Sequence, residues 1–300
     1  MYRALRRFAA VLLAFAVALP ASAEPPVPLL WKVSDADNSV YLLGSFHLLS
    51  AGDYPLSADV DAAFADAEAL LFELSPEEAG SPALAGLMAQ AALRQRAGSL
   101  EQDLGPALWA RLQAYAAAGQ LPLAQMAMFD PWFIGLTVGL IEMQKQGLDP
   151  ALGLDRHFMD AAAHAGKPAA GLELAADQIR VLAGMTLEEQ KQLLAEALEQ
   201  AEQGAEQSRE LHAAWRAGDA ERLWNDMAAQ LKRDYPALYR RINIERNDAW
   251  LPRLEQRLAQ EQDDTLVVVG ALHLLGGDGL VEKLRAKGYR VERICSACAP

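Results

Sequence analysis

The chain contains almost no cysteine, and this excludes a small domain stabilised by a disulfide framework. Only Cys295 and Cys298 occur among its 300 residues, so the fold must depend on a hydrophobic core. Both lie in the segment CSAC near the end of the chain, after a predicted strand. A thioredoxin-like redox pair lies instead at the start of a helix, where the thiolate is stabilised. The position favours a local disulfide or a loose tail over redox catalysis.

Positive charge is also scarce. The sequence has 27 lysines and arginines against 40 aspartates and glutamates, which gives a formal net charge of −13. Such a chain repels nucleic acid and anionic lipid surfaces. We therefore expect no nucleic-acid partner, whereas the acidity itself says little about the substrate.

Long apolar runs are missing after the first 23 residues, so no later segment is expected to cross a membrane. At the start, three arginines precede an apolar run over residues 8–19, and the tripeptide ASA ends at residue 23. This pattern predicts a signal peptide over residues 1–23, cleaved after Ala23, and a periplasmic or secreted protein. A retained N-terminal anchor is the alternative, but the run is shorter than the ~20 residues that a membrane span needs.

No linker rich in proline, glycine or serine divides the rest of the chain, which predicts one domain over residues 24–300. Strand-like apolar runs lie near both ends and once in the middle, and almost everything between them has helical periodicity. The two halves must therefore meet in one sheet. The sequence predicts an α/β (α+β) fold with a central β-sheet built from both chain ends and the middle. A large helical insertion is expected over the edge of the sheet that carries the site.

One phrase occurs twice, as GSFHLL over residues 44–49 and GALHLL over residues 270–275. Each copy follows a predicted strand. Glycine lets the backbone turn sharply at the strand end, and the histidine then projects from the edge where open α/β sheets place their sites. The repeat therefore predicts that His47 and His273 share one site.

Two carboxylates have the same setting, because Glu73 and Glu173 end the predicted strands in LLFEL and AGLEL. Two imidazoles with one or two carboxylates suit a catalytic divalent metal with an open position. We predict His47, Glu73 and His273 as ligands, and Glu173 as a further ligand or the general base. The alternative is structural: a hydrogen-bonded histidine, and a glutamate that caps a helix or forms an ion pair.

Arg246 and Asn247 lie in a long helical pattern and are further candidates. Arg246 could bind a substrate carboxylate or stabilise an oxyanion, or it could pair with one of the two glutamates. No H-E-x-x-H motif is present, so the sequence leaves the metal open among manganese, cobalt and zinc. A second helical face carries three more metal-capable side chains, but a solvated surface is the alternative there: His157, Asp160 and His164.

Several of these segments together resemble the TraB/GumN family, which is related to the Tiki and PrgY proteins. They are YLLGSFHLL, LLFEL, DPWF, GLDRHFMDAAAHAGKPAAGLELAADQ, ERNDAW and VVVGALHLLGGDGLVEKLRAKGYRV. The resemblance implies a fold similar to the erythromycin esterase/ChaN-like group and, through the Tiki branch, metal-dependent proteolysis. It also implies which residues form the site: His47, Glu73 and His273, with Glu173, Arg246 and Asn247.

These observations predict a secreted metal-dependent hydrolase that acts on peptide or amide bonds, with a peptide or small molecule as its substrate. The alternative is a non-catalytic periplasmic protein that binds a small molecule, haem or metal, or a polysaccharide-related accessory protein. No stable membrane span is expected after the signal is cleaved.

Overall fold

A computed structural model describes residues 24–298 of the protein. The predicted signal peptide over residues 1–23 lies outside the described residues. Among the residues described, no helix combines the length and apolar character needed to cross a membrane.

Within residues 24–298, six strands form one mixed sheet in the order β4-β3-β5-β2-β1-β6. β4 comes from the middle of the chain, and the other strands come from its two ends, so the predicted assembly of the sheet is confirmed. The strands are β1 (Leu30–Ser34), β2 (Ser39–Ser45), β3 (Ala69–Phe72), β4 (Ala169–Gly171), β5 (Thr265–Gly270) and β6 (Arg290–Arg293).

Four neighbouring strands, β4, β3, β5 and β2, run parallel, while β1 is antiparallel to both β2 and β6. Every residue of β2 and of β5 is buried, as expected for parallel strands covered on both faces. Since parallel strands end at the same edge of a sheet, the residues that follow these four strands lie close together.

The rest of the described chain is mainly helical, and most of it connects β3 to β4 and β4 to β5. The α-helices are α1 (Ala58–Asp66), α2 (Pro76–Ala79), α3 (Pro82–Ala91), α4 (Leu100–Ala118), α5 (Leu123–Met126), α6 (Pro131–Lys145), α7 (Leu154–Ala165), α8 (Ala175–Ala183), α9 (Leu187–Gln203), α10 (Ala205–Arg216), α11 (Ala220–Trp224), α12 (Gln230–Asp234), α13 (Pro236–Tyr239), α14 (Glu245–Gln260) and α15 (Leu280–Ala286).

The helical insertion comprises α3–α6 and α8–α14, and it has apolar clusters of its own beside the core of the sheet. Residues 185–216 are rich in Glu, Gln and Ala, and their pattern predicts one helix. The structure has two helices there, because Gly204 adopts a positive φ of 82° between α9 and α10. α10 is fixed to the sheet near the first repeated phrase, where the Trp215 indole N–H donates to the Gly44 carbonyl at 2.9 Å.

Two segments of the insertion are π-helical, Asn225–Ala229 and Arg240–Ile244. They interrupt residues 219–231 and 237–260, where the helical pattern of the sequence predicts continuous α-helix. Short 3₁₀ turns cover Ala51–Asp53, Pro150–Leu152 and Ala271–Leu274. At the end of the described chain Cys295 and Cys298 form a disulfide, the local pairing that the sequence favours.

The sequence pattern predicts a helix over residues 155–165 with Asp155 at its N-cap, and this predicted cap is wrong. The helix begins at Leu154 with Gly153 as its cap, while the Asp155 side chain accepts a hydrogen bond from Ser45 Oγ at 2.5 Å. A Cβ atom at Gly153 would meet the His47 carbonyl oxygen at 2.1 Å. Glycine therefore allows α7 to begin directly against the first repeated phrase.

Candidate functional site

Four predicted site residues follow the four parallel strands at one edge of the sheet. His47 lies two residues after β2 and Glu73 directly after β3, while Glu173 follows β4 and His273 follows β5. Register brings these ends together, since Ser45 pairs with Gly270 and Phe72 pairs with both Val268 and Gly171. The repeated phrase therefore marks two strand ends of a single site.

Glu73 lies between the two histidines. Its Oε1 atom is 3.8 Å from His47 Nε2 and 3.9 Å from His273 Nε2. The same oxygen accepts a hydrogen bond of 2.8 Å from the Gly270 backbone N–H. The two imidazoles thus approach one carboxylate from residues far apart in the sequence.

Gly270 also keeps the space between these side chains open. A Cβ atom at this position would lie 3.1 Å from His47 Nε2 and 3.2 Å from Glu73 Oε1. The glycine of the second phrase therefore leaves a small gap that an alanine methyl group would fill.

The His47 ring is oriented by Asp155. His47 Nδ1 lies 2.7 Å from Asp155 Oδ2, and because a carboxylate only accepts, Nδ1 carries the hydrogen. Nε2 therefore faces Glu73. The negative charge of Asp155 raises the pKa of His47 to about 9, so an ion at Nε2 has to compete with a proton. Asp155 is not among the predicted site residues, because its place in the first turn of a helix suggests a capping role.

The His273 ring is oriented in the same way by Asn247. Asn247 Nδ2 donates to the Asp278 carbonyl at 2.8 Å, which turns Oδ1 towards His273 Nδ1 at 2.7 Å. Nδ1 therefore carries the hydrogen and Nε2 is free to accept. Burial lowers the pKa of His273 to about 3, so this imidazole is neutral.

Arg246 is a cation of the site and pairs with both glutamates. Its Nη2 atom lies 2.5 Å from Glu73 Oε2 and 2.5 Å from Glu173 Oε1. Its Nη1 atom lies 3.1 Å from His273 Nε2, and its guanidinium stacks 4.7 Å from the Trp250 ring centre. Burial alone would lower the pKa of Arg246, but the two carboxylates outweigh burial and raise it.

Both carboxylate oxygens of Glu173 are engaged. Oε2 accepts from Arg246 Nε at 3.2 Å and from Trp250 Nε1 at 3.2 Å, while Oε1 contacts Nη2 of the same arginine. Burial would raise the pKa of Glu73, but the charges of Arg246 and His47 and the hydrogen bond from the Gly270 backbone N–H hold it below its usual range. Both glutamates are thus held beside Arg246. Pairing with a glutamate is one of the two alternatives that the sequence leaves open for this arginine.

These residues fit a divalent ion in their chemistry. Within residues 24–298 no three His, Cys, Asp or Glu side chains lie at ligand geometry as they stand, and Arg246 Nη1 contacts His273 Nε2. However, both imidazoles turn Nε2 towards Glu73, and each Nδ1 hydrogen is bound by a further side chain. Metal-ligating histidines show this arrangement, and the gap at Gly270 gives an ion room. An ion at His273 Nε2 would have to displace the contact that Arg246 Nη1 makes with this atom.

The second helical face does not form a site of this kind. His157 stacks on Tyr54 with ring centres 4.7 Å apart, and Asp160 accepts from Arg156 Nε at 3.2 Å. His164 Nδ1 contacts the Asp160 backbone carbonyl. The partners of these side chains are those of an ordinary helix surface.

We expect Asn247→Ala to weaken binding of Co²⁺ by roughly 10–100-fold, the usual cost of removing a residue that orients a metal-bound histidine. The substitution leaves His273 Nδ1 without its acceptor. The matched control is Asn243→Ala, since Asn243 is equally buried but its Nδ2 donates to Tyr239. Titration of both variants with Co²⁺ checks the prediction, and an equal effect of the two would contradict it.

The mixed sheet and the His and Glu residues that follow its strands make this an α/β protein with a candidate site at one edge of the sheet. Comparison with known families agrees with the resemblance seen in the sequence. The chain belongs to the TraB/PrgY/gumN family, whose model matches residues 29–293, so the predicted resemblance is confirmed. Over 246 residues it is 27% identical to "Uncharacterized protein YbaP" of Escherichia coli (strain K12), covering 82% of this chain and 87% of that protein. YbaP of Shigella flexneri matches equally. No solved structure matches the chain, so the implied erythromycin esterase/ChaN-like fold stays a prediction.

Proposed function

We propose that the protein is a metal-dependent hydrolase that acts on peptide or amide bonds. His47 Nε2, Glu73 and His273 Nε2 hold a divalent ion such as Mn²⁺, Co²⁺ or Zn²⁺. One observation carries this proposal. The imidazoles of His47 and His273, from distant parts of the chain, both turn Nε2 towards the Glu73 carboxylate, and each Nδ1 hydrogen is bound by a further side chain. Such an ion supplies a Lewis acid that polarises a carbonyl group and makes water more acidic.

The remaining site residues act on charge and orientation. Asp155 and Asn247 hold the two imidazoles in one tautomer each. Arg246 offsets the charge of the glutamates and is close enough to stabilise negative charge that develops on a substrate carbonyl. Glu173 positions Arg246, and we favour this role over that of general base because both of its oxygens are already engaged.

Two cavities meet at the site, which suits an extended substrate. One, of 290 Å³, is lined by His47, Glu73 and Asp155. The other, of 270 Å³, is lined by His47, Glu73 and His273. The His47 side chain is 55% exposed, whereas that of His273 is 6% exposed, so a substrate reaches the site from the His47 side and can extend past Glu73 in both directions.

Hydrolysis of a peptide library by protein loaded with Mn²⁺, Co²⁺ or Zn²⁺ tests the proposal. We expect Glu73→Gln to remove bound metal and turnover together. Glu173→Gln should retain the metal but lose turnover by roughly 10²-fold or more, because Arg246 is no longer held in place for electrostatic stabilisation. The control is Glu202→Gln, which changes an exposed ion pair with Arg111 and should leave both properties unchanged.

A non-catalytic binding protein is the second candidate, and one observation favours it. Arg246 already pairs with both glutamates and contacts His273, so the charges of the site are largely balanced without an ion. Protein that is fully loaded with metal yet inert towards peptides, esters and glycans would support this candidate over the hydrolase.

We also propose export with cleavage after Ala23, on the pattern of charge, apolar run and small residues at the start of the chain. The expected N-terminal residue of the exported protein is Glu24. Intact-mass measurement on protein recovered from outside the cytoplasm checks this, and a mass that still includes the apolar run would contradict it.

A further inference from the structure

The cavity on the His273 side has a wall that the proposed chemistry does not use. Four apolar side chains of the helical insertion form this wall: Met143, Leu211, Met227 and Ile242. All four are only partly buried, so they border open space instead of filling the core.

The same four side chains also line a second cavity, of 250 Å³, on their other side. Each cavity alone is somewhat smaller than the roughly 300–1,000 Å³ of ordinary ligand pockets, whereas the two adjoining cavities together fall within that range. An elongated apolar group that passes the wall would therefore have space beyond it. The far cavity has polar residues on its lining, among them Glu196 and Asp226.

Two of the four wall residues lie in the π-helical segments. Met227 belongs to Asn225–Ala229, and Ile242 belongs to Arg240–Ile244. A π turn inserts one residue into a helix and changes which side chains share a face, and such turns recur at functional sites. The second π segment leads directly into the turn that carries Arg246, whose Nη1 also approaches the Ile242 carbonyl at 3.4 Å. One wall residue, Ile242, and Arg246 of the charged site thus lie in one stretch of chain.

We infer that Met143, Leu211, Met227 and Ile242 form a specificity subsite for a large apolar side chain next to the cleaved bond. This inference rests on the proposed function for the identity of the bond, but the subsite is a property of the insertion. The four wall side chains carry no charge, so a polar or acidic group packed against them would lose its hydration without gaining a hydrogen-bond partner from the wall. Two methionines make the wall adaptable to several apolar shapes, which favours leucine, methionine or phenylalanine over a single side chain.

A scanned peptide series tests the subsite. Acetylated hexaalanine amides in which one alanine at a time is replaced by leucine, methionine, phenylalanine, serine or aspartate are assayed for kcat/KM on the metal-loaded protein. Binding of the same peptides is measured by calorimetry on the metal-free protein. At one position we expect leucine, methionine or phenylalanine to exceed alanine by roughly 10-fold or more, the usual discrimination of an apolar pocket by size.

The variants Met143→Gln and Met227→Gln, which keep the length of the side chain, should reduce that preference to below about 3-fold. The matched control is Met128→Gln, since Met128 is 53% exposed and lines neither cavity. It should retain the full preference. Thermal unfolding of each variant shows that the fold is kept, and using two variants on different helical segments guards against a local folding defect.

The outcomes separate this inference from the proposed function. Turnover without an apolar preference, or a preference that both variants retain, overturns the subsite and leaves the hydrolase intact. An apolar preference in binding without any turnover supports the subsite and counts against the hydrolase. If no peptide of the series is bound or cleaved, the subsite is overturned too.

Discussion

Replacing Arg246 with methionine is expected to lower the free energy of unfolding by about 3–5 kcal/mol, the usual cost of removing one partner from a buried ion pair. The side chains of Arg246, Glu73 and Glu173 are only 14%, 12% and 9% exposed. Without the guanidinium, two carboxylates face each other in a site that excludes most water. One of them then has to take up a proton or move to solvent.

The measurement is chemical unfolding of the metal-free wild type and variant at neutral pH. Arg209→Met is the matched control, because Arg209 and Glu206 form a pair in which both side chains are more than 60% exposed, and such pairs contribute at most about 1 kcal/mol. Arg246→Lys should fall between the two, since lysine keeps the charge but cannot bridge both carboxylates with a planar fork. A loss below 1 kcal/mol in Arg246→Met would contradict the central position of the arginine.

Asp53→Ala is expected to cost a similar amount, about 3–5 kcal/mol, through loss of a buried charge network. The Asp53 side chain is 0% exposed. It accepts hydrogen bonds from the Ser50 backbone N–H at 2.7 Å, from Ser50 Oγ at 2.8 Å and from Arg216, and His212 Nε2 lies 3.0 Å away. This network fixes α10, which carries Leu211 of the apolar wall, to the turn Ala51–Asp53 that follows β2.

The effect of Asp53→Ala should depend on pH. Burial would raise the pKa of Asp53, but the contacts from His212, Ser50 and Arg216 outweigh burial and hold the pKa below its usual value of 3.8. A depressed pKa in the folded state stabilises the protein above the pKa of the unfolded state and ceases to do so as the pH falls through the folded value. The difference between wild type and variant should therefore shrink as the pH falls below about 4.

Unfolding curves at several pH values check this dependence. Asp160→Ala is the control, because Asp160 forms an exposed helical pair with Arg156 and should change stability by less than about 1 kcal/mol. A difference between wild type and Asp53→Ala that grows as the pH falls would show that the carboxylate is not stabilised by its partners.

The sheet and the ends of its strands could be predicted because local patterns specify them. Residues 265–270 are a short run of β-branched and apolar residues that ends in glycine, and β5 has these same bounds. The two histidines follow such glycines, so their meeting at one edge follows from the rule for parallel strands. The segment PAAGLEL, residues 168–174, predicts a strand of seven residues, whereas β4 has three because its pairing with β3 covers only those.

The interior of the site could not be predicted, because it depends on contacts between distant segments. Asp155 begins a helix and resembles a cap, yet the approach of α7 to the first repeated phrase brings it to His47. Arg246 had two equal interpretations, and only the position of α14 over the strand ends places it between Glu73 and Glu173. The π-helical segments have the same composition as an ordinary helix, so periodicity predicts α-helix there.

Binding of Co²⁺ to the purified protein tests the central claim most directly, because the visible absorption of cobalt reports its ligands without any substrate. We predict one ion per chain with nitrogen and oxygen ligands in the wild type. His47→Ala and His273→Ala should each lose affinity by more than the roughly 10–100-fold that a supporting residue costs, whereas His164→Ala, on the exposed surface of α7, should bind as the wild type does. Failure of the wild type to bind the ion, or equal binding by all four proteins, would contradict the shared site.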